Sequence, residues 1–298
     1  MPVSAAIRSL ALLLALTRTA ALSGSEADTW RQRGFTVTEK AGAIISLSGA
    51  TKGFAAADFQ ALGAMVTLTS LSLDGNGGAL TDDALRQLAG LVALQNLSFN
   101  GSSFSDDGFR VLAGFHDLRG LALFHPSRGR ADFTGGGLAQ LATLPAFERL
   151  TLAGSTAGDA ALTAIATLPH LRELRLWHNT ETAAGLRMLA ALATLRKLTL
   201  GQRLPGREAT PPSLCDAVLP SLAQLTGLEE LTVNDARLGG DALLTLQSLT
   251  ALKKLTAAQV DTPAAEVARL RAALPKAVID WKPLSDEQAA ALREKLKL

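Results

Sequence analysis

The side chains best equipped for chemistry in these 298 residues are four histidines, one cysteine, and several arginines spaced around a phenylalanine and a tryptophan. A catalytic centre needs a nucleophile beside a base, paired carboxylates in a pocket, or metal ligands within reach of one ion. No such set is spelled out along the chain. His125 and His178 hold the same place in two copies of a recurring segment, two strands apart, which separates them by roughly 10 Å. Zinc asks for ring nitrogens about 2 Å away and for further ligands, and neither cysteines nor a regular column of acids accompany the pair. His116 and His170 fall in turns ahead of strands, the setting of solvated imidazoles. Cys215, the only cysteine, cannot form an internal disulfide. It reads as a small apolar residue, or as a nucleophile whose thiol Arg207 would activate and Asp216 oppose.

The glycine runs Gly75-Asn76-Gly77-Gly78 and Gly135-Gly136-Gly137 lack the Lys-Ser/Thr of a phosphate loop and the spacing of a dinucleotide turn, so they read as turns. Asp74-Gly75-Asn76 opens like a calcium loop, yet Leu85 stands where the closing glutamate belongs. No metal and no cofactor is implied. Asn96-Leu97-Ser98 and Asn100-Gly101-Ser102 match the glycosylation tripeptide, a pattern short enough to arise by chance.

The elements that carry these residues are announced by one recurring phrase: leucine, two residues, leucine, one residue, a hydrophobic residue. It occurs at Leu68-Leu71-Leu73, Leu94-Leu97-Phe99, Leu118-Leu121-Leu123, Phe147-Leu150-Leu152, Leu171-Leu174-Leu176, Leu195-Leu198-Leu200 and Leu228-Leu231-Val233. Several copies are 24 residues apart, and between them apolar residues fall three and four apart, as in Thr81-Asp82-Asp83-Ala84-Leu85-Arg86-Gln87-Leu88, the spacing of one helix face. Strand then helix at a period of about two dozen residues predicts an α/β leucine-rich-repeat solenoid, its parallel sheet concave and its helices convex. Thr81 and Ser105, each followed by two aspartates, read as helix N-caps.

A solenoid also needs ends. Phe35-Thr36-Val37-Thr38 and Ile44-Ile45-Ser46-Leu47 read as a hairpin over the first edge, with Trp30 on a short helix before it. Val278-Ile279-Asp280-Trp281 reads as a last strand, and Ser285 with Gln288 as the capping box of a closing helix carrying Leu292 and Leu296. Both tryptophans then plug caps. Arg8, the apolar run Leu10 to Leu16, and small residues at Ala20, Ala21 and Ser23 have the order of a secretory signal peptide, with Arg18 close to the cleavage site. That run is too short to span a bilayer, and no other stretch approaches the roughly twenty apolar residues required. The expected division is a leader over 1–23, a cap with the first repeat over 24–66, repeats over 67–275, and a closing cap over 276–298. The formal charge of +2 includes the leader's two arginines, so the exported chain is near neutral and lacks the positive field that nucleic acid demands.

On these residues the chain resembles exported bacterial leucine-rich-repeat proteins. The resemblance is carried by the repeated phrase, the Ser/Thr-Asp starts at Thr81-Asp82 and Ser105-Asp106, and the ending Leu270-Arg271-Ala272-Ala273-Leu274-Pro275-Lys276-Ala277-Val278-Ile279. It covers 24–298 and is similar to the ribonuclease-inhibitor-like, short-helix and cysteine-containing subclasses, although the characteristic cysteine is missing. The resemblance implies a binding scaffold. The chain departs from the pattern at the ninth repeat position, where asparagine stands only at Asn76 and Asn179, while Ser102, Pro126, Ser155, Arg203, Ala236 and Val260 replace it. The turns after the strands should therefore be less uniformly hydrogen-bonded.

Alternation within each strand sends the phrase leucines inward and the residues between them to the concave face. Position seven then reads Asp74, Asn100, Phe124, Ala153, Trp177, Gly201, Asn234 and Ala258, so Phe124 and Trp177 should form two walls beside Ala153. Arg119, Arg149, Arg172, Glu173 and Arg175 should surround them, with His125 and His178 alongside. Two basic, proline-bearing insertions, Pro126-Ser127-Arg128-Gly129-Arg130 and Arg203 to Pro212, should emerge on one rim. Aromatics and arginines in a concavity suit a protein or peptide partner, an acidic one in particular, or a glycan. The expected molecule is a non-enzymatic scaffold, monomeric and exported to the periplasm or exterior. A secreted effector acting on a host cell, and an enzyme built on Cys215, stand as alternatives.

Overall fold

The computed structural model describes residues 23–75, 78–126, 132–203, 211–239 and 241–297. The leader proposed for 1–23, except Ser23, lies outside the described residues, as do Asn76 and most of both insertions.

Eleven strands form one sheet in sequence order. The chain enters through α1 (Ser23–Gln32), β1 (Thr36–Lys40) and β2 (Ala43–Ala50). β1 and β2 pair antiparallel, while β2 pairs parallel with β3 (Ser70–Asp74). Every following pair is parallel: β4 (Asn96–Asn100), β5 (Gly120–Phe124), β6 (Arg149–Ala153), β7 (Glu173–Trp177), β8 (Lys197–Leu200), β9 (Glu230–Arg237), β10 (Lys254–Asp261) and β11 (Val278–Trp281). The fold is an α/β leucine-rich-repeat solenoid.

The phrase leucines explain why the units stack. Leu71, Leu97, Leu121, Leu150, Leu174, Leu198 and Leu231 face each other across successive strands and are all buried. One apolar cluster runs from Ala27 in the first cap to Ile279 in the last strand. At the entry, Trp30 packs edge-on to Phe35 at 5.1 Å between ring centroids, and Arg33 lies 4.5 Å over Phe54. At the exit, Trp281 Nε1 donates to the Val260 carbonyl at 3.0 Å. Both tryptophans are structural plugs.

The convex side differs from a uniform row of α-helices. True α-helix is present in α2 (Ala56–Gly63), α3 (Asp82–Gln87), α4 (Asp159–Ile165), α5 (Ala183–Arg187), α6 (Leu219–Leu222) and α7 (Ala264–Ala273). In three repeats the segment is 3₁₀ instead, over Gly108–Gly114, Gly136–Thr143 and Leu243–Ser248. A 3₁₀ segment rises further per residue and is narrower, which lets few residues cross a repeat. Glycine at the start of two of these segments admits the neighbouring chain: a Cβ on Gly137 would sit 2.3 Å from the Asp106 carbonyl oxygen.

Aspartates do more here than favour the positive helix end. Asp82 accepts from Ser105 N and Oγ, Asp159 from Thr182 N and Oγ1, Asp106 from Thr134 and Gly135, and Asp216 from Gly239 N, at 2.6–3.0 Å. Each acid thus binds the N-terminal turn of the next repeat. This ladder ties the rim where the asparagine pattern is broken. At the ninth position itself, Asn179 accepts from Ser155 N and Oγ and donates to the Leu152 carbonyl, whereas Ala236 and Val260 are buried apolar residues. The turns are mixed, as expected.

The closing helix α8 (Asp286–Leu296) starts at a capping box in which Ser285 Oγ accepts from Gln288 N and Gln288 Oε1 from Ser285 N. It folds back over β9 and β10 rather than capping the outer edge of β11. Leu292 and Leu296 are buried there, and Lys295 Nζ reaches Asp235 at 2.9 Å.

Candidate functional site

Strand alternation and register place the concave side chains in columns. Asp74, Asn100, Phe124, Ala153 and Trp177 are successive partners along one column, as are Ser48, Ser72, Ser98, Ala122, Thr151, Arg175 and Thr199 along another. Phe124 and Trp177 are half-buried on the concave face, as the alternation requires. They are not two separate walls. Their rings lean together over Ala153, with centroids 6.2 Å apart and planes tilted by 53°, and Ala153 is buried beneath them. Ala153 has no side chain to hold the rings apart, and ring contact removes apolar surface from water. The result is a single aromatic platform.

The same large-over-small arrangement fixes two more side chains. Arg149 lies across Gly120 of the neighbouring strand, where a Cβ would stand 3.3 Å from its Nε, and donates from Nη2 to Asn96 Oδ1 at 3.0 Å. His125 lies against Gly154, where a Cβ would stand 2.6 Å from its Cδ2. His125 and His178 share a further property: both have positive φ, 48° and 55°. Gly101, Gly154, Asp235 and Gln259 do so at the same repeat position. The corner leaving the strand is left-handed, a conformation that histidine tolerates better than most residues. That corner is the reason for the histidine pair, and among the described residues no group of three metal-ligating side chains gathers around either one.

The arginines of the face are more fully occupied than their spacing suggested. Arg149 pairs with Glu148, and Arg175 with Glu173 at 2.7 Å. Arg119 stands 4.0 Å from Glu148. Arg172, at an exposed position next to Glu173 in sequence, makes no ion pair among the described residues, because Glu173 turns to Arg175 instead. Around the platform the four arginines thus share two glutamates, Glu148 and Glu173. Cys215 is half-buried at the rim, beside Asp216, Arg237 and Leu296. Its proposed activator Arg207 falls outside the described residues.

Three polar residues organise this region: Asn100, already placed in the concave column by its spacing, and Gln202 and Glu181, which sequence reasoning passed over. Asn100 links its neighbours: its Nδ2 faces Asp74 Oδ2 at 3.4 Å and its Oδ1 faces His125 Nδ1 at 3.0 Å. Gln202 is buried at the end of β8 and saturated: Oε1 accepts from Ser213 N, Leu214 N and Arg203 N, while Nε2 donates to the carbonyls of Leu214 and Asp235. Glu181 is its opposite. It is buried in the turn before α5, and among the described residues neither carboxylate oxygen has a hydrogen-bond partner. Burial pushes its carboxyl up to about 7, against its own backbone N–H and Arg203, which pull it down, and with help from Asp159. A polar residue at a position that the repeat pattern leaves variable was the only signal for any of these.

Fold and face together define a leucine-rich-repeat solenoid whose concave sheet bears an aromatic platform among paired arginines. No protein-family profile matches the chain, and no curated protein matches it. Among solved structures it is similar to an internalin (inlF) from Listeria monocytogenes, at 20% identity over 76% of this chain and 71% of that one, with a TM-score of 0.48. It is also similar to an internalin C2 (inlC2) from the same organism, at 19% identity over 77% of this chain and 84% of that one, with a TM-score of 0.47.

Proposed function

We propose that this chain is an exported, non-enzymatic interaction scaffold, a monomer of the periplasm or exterior that holds a partner on its concave face. The division into leader, entry cap, repeats and closing cap belongs to the same proposal. The observation that carries it is the half-exposed Phe124–Trp177 platform, with its rings 6.2 Å apart, at the centre of an otherwise polar sheet. Aromatic rings left at a surface, flanked by arginines, are the residue types that dominate binding energy when a partner covers them. The arginines Arg119, Arg149, Arg172 and Arg175, with His125 and His178, border the platform and supply hydrogen-bond donors around it. Export is supported by the leader-like run Leu10 to Leu16. No helix among the described residues is long and apolar enough to cross a membrane.

Immobilised protein should retain one partner from the envelope or medium of the native host. Trp177→Ala should weaken that capture about tenfold or more, and Arg175→Ala by a smaller factor. Unchanged capture by both variants would falsify the assignment of this face.

A further inference from the structure

Beside the platform, on the β2–β4 side, lies a recess of about 580 Å³ lined by Ser48, Ser72, Ser98, Asn100, Phe124 and His125, among others. No lysine or arginine lines it among the described residues. Ser48, Ser72 and Ser98 stand in register on three neighbouring strands, and their hydroxyls have no hydrogen-bond partner among the described residues. At the far wall, Phe124 presents a half-exposed ring, and the Asp74–Asn100–His125 chain of hydrogen bonds orients the His125 imidazole.

We propose that this recess binds a neutral glycan chain, laid across β2 to β5 with one sugar ring stacked on Phe124. The inference rests on the concave-face reading above and names the ligand class. Three features select it. Free hydroxyls both donate and accept, which matches the hydroxyls of a sugar better than the carboxylates of an acidic peptide. The absence of a lining cation removes what would hold an anion. Spacing decides between the remaining chains: the column offers a hydroxyl about every 4.8 Å, one strand separation, whereas an extended peptide brings same-face side chains only about every 6.8 Å. One strand separation is close to the length of one pyranose with its linkage. The backbone N–H and C=O groups of β2 to β5 are engaged in the sheet ladder, so a peptide finds no strand edge there to extend.

Titration calorimetry of the full chain with cellohexaose, xylohexaose, mannohexaose and chitohexaose tests this, with hexaglutamate as the acidic peptide probe. At least one hexasaccharide should bind with Kd below about 1 mM. Phe124→Ala should lower that affinity about tenfold or more. Ser98→Leu, which fills the recess without touching the buried leucines, should abolish it in a protein with an unchanged circular dichroism spectrum, while Arg86→Ala, on the convex helix α3, leaves it intact. Failure of all four sugars, or binding that survives both recess variants, overturns the proposal. If hexaglutamate alone binds and Arg175→Ala removes it, the glycan is wrong and the concave scaffold survives. If no sugar and no peptide binds and host capture is also absent, both readings fail.

Discussion

Across β2 to β4 the concave hydroxyls of Ser48, Ser72 and Ser98 have no hydrogen-bond partner among the described residues, whereas across β8 to β10 the charged side chains flanking the same column answer one another strand by strand. Lys197 meets Glu230 at 2.7 Å, Lys253 meets Glu229 at 2.6 Å, and Arg237 lies 3.6 Å from Asp261. Helix α8 adds Lys295 to Asp235. The two halves share one sheet and one register, so the difference is a matter of side-chain length. Neighbouring strands are about 4.8 Å apart, a gap that the charged ends of lysine and glutamate bridge, while the in-register serines make no such contact among the described residues. Beside the hydroxyl column the C-terminal half carries rows of paired charges, while the N-terminal half carries the short serines on which the proposed glycan would lie.

The strongest way to break this comparison is at its seam. Gln202 lies between the halves and joins β8 to the turn at Ser213–Leu214 and to β9 through the Asp235 carbonyl. Gln202→Leu leaves the backbone donors of Arg203, Ser213 and Leu214 buried without their acceptor, at about 4 kcal/mol in total. Urea unfolding should show that loss, with the C-terminal half opening before the N-terminal half. A single cooperative transition of unchanged midpoint would show that the seam bears no strain.

One repeat earlier, Glu181 offers a change of opposite sign. Its carboxyl loses a proton near 4.5 in the unfolded chain and only at about 7 in the folded one. The associated stability is fully present below pH 4.5, declines as pH rises through the window, and is gone above about 7. Glu181→Gln should therefore leave stability unchanged at pH 4 and raise it by about 3 kcal/mol at pH 8. Thermal melts at the two pH values check this, and equal shifts at both would refute the buried-acid account.

The smallest effect sharpens the closed half. The Lys295 and Asp235 pair is partly exposed, and pairs of that kind contribute about 0.5 kcal/mol. Lys295→Ala should cost no more than that, and added salt should erase the difference between the two proteins. A loss several times larger would mean that α8 supports β9 and β10 through Lys295 rather than through Leu292 and Leu296.

Much of the architecture was legible because it repeats. Leucines at fixed spacing imply strands, their alternation implies which face is core, and a period of about two dozen residues implies stacking; the entry hairpin, the last strand and the Ser285 capping box followed from the same local rules. The column holding Asp74, Asn100, Phe124, Ala153 and Trp177 was readable too, since register is fixed once the leucines stack. What escaped was the direction in which side chains lean. The two rings were expected to stand apart, and they close over Ala153. Arg149 was expected beside the platform, and it crosses Gly120 to reach Asn96. Each repeat was expected to carry a helix, and in three of them it tightens to a 3₁₀ segment.

By itself, the sequence settled the order of strands, the buried face and the identity of each concave column, because those depend on periodicity that every repeat restates. Tertiary structure alone decided which polar groups find partners. Asp82 reaches Ser105 and Asp159 reaches Thr182 across neighbouring repeats, Gln202 collects the donors of a turn eleven residues away, and Glu181 finds none among the described residues. Hydrophobic burial is non-directional and adds up over a pattern, so it can be read from spacing. A hydrogen bond depends on a few tenths of an ångström between residues far apart in sequence, and that distance exists only once the stack has formed.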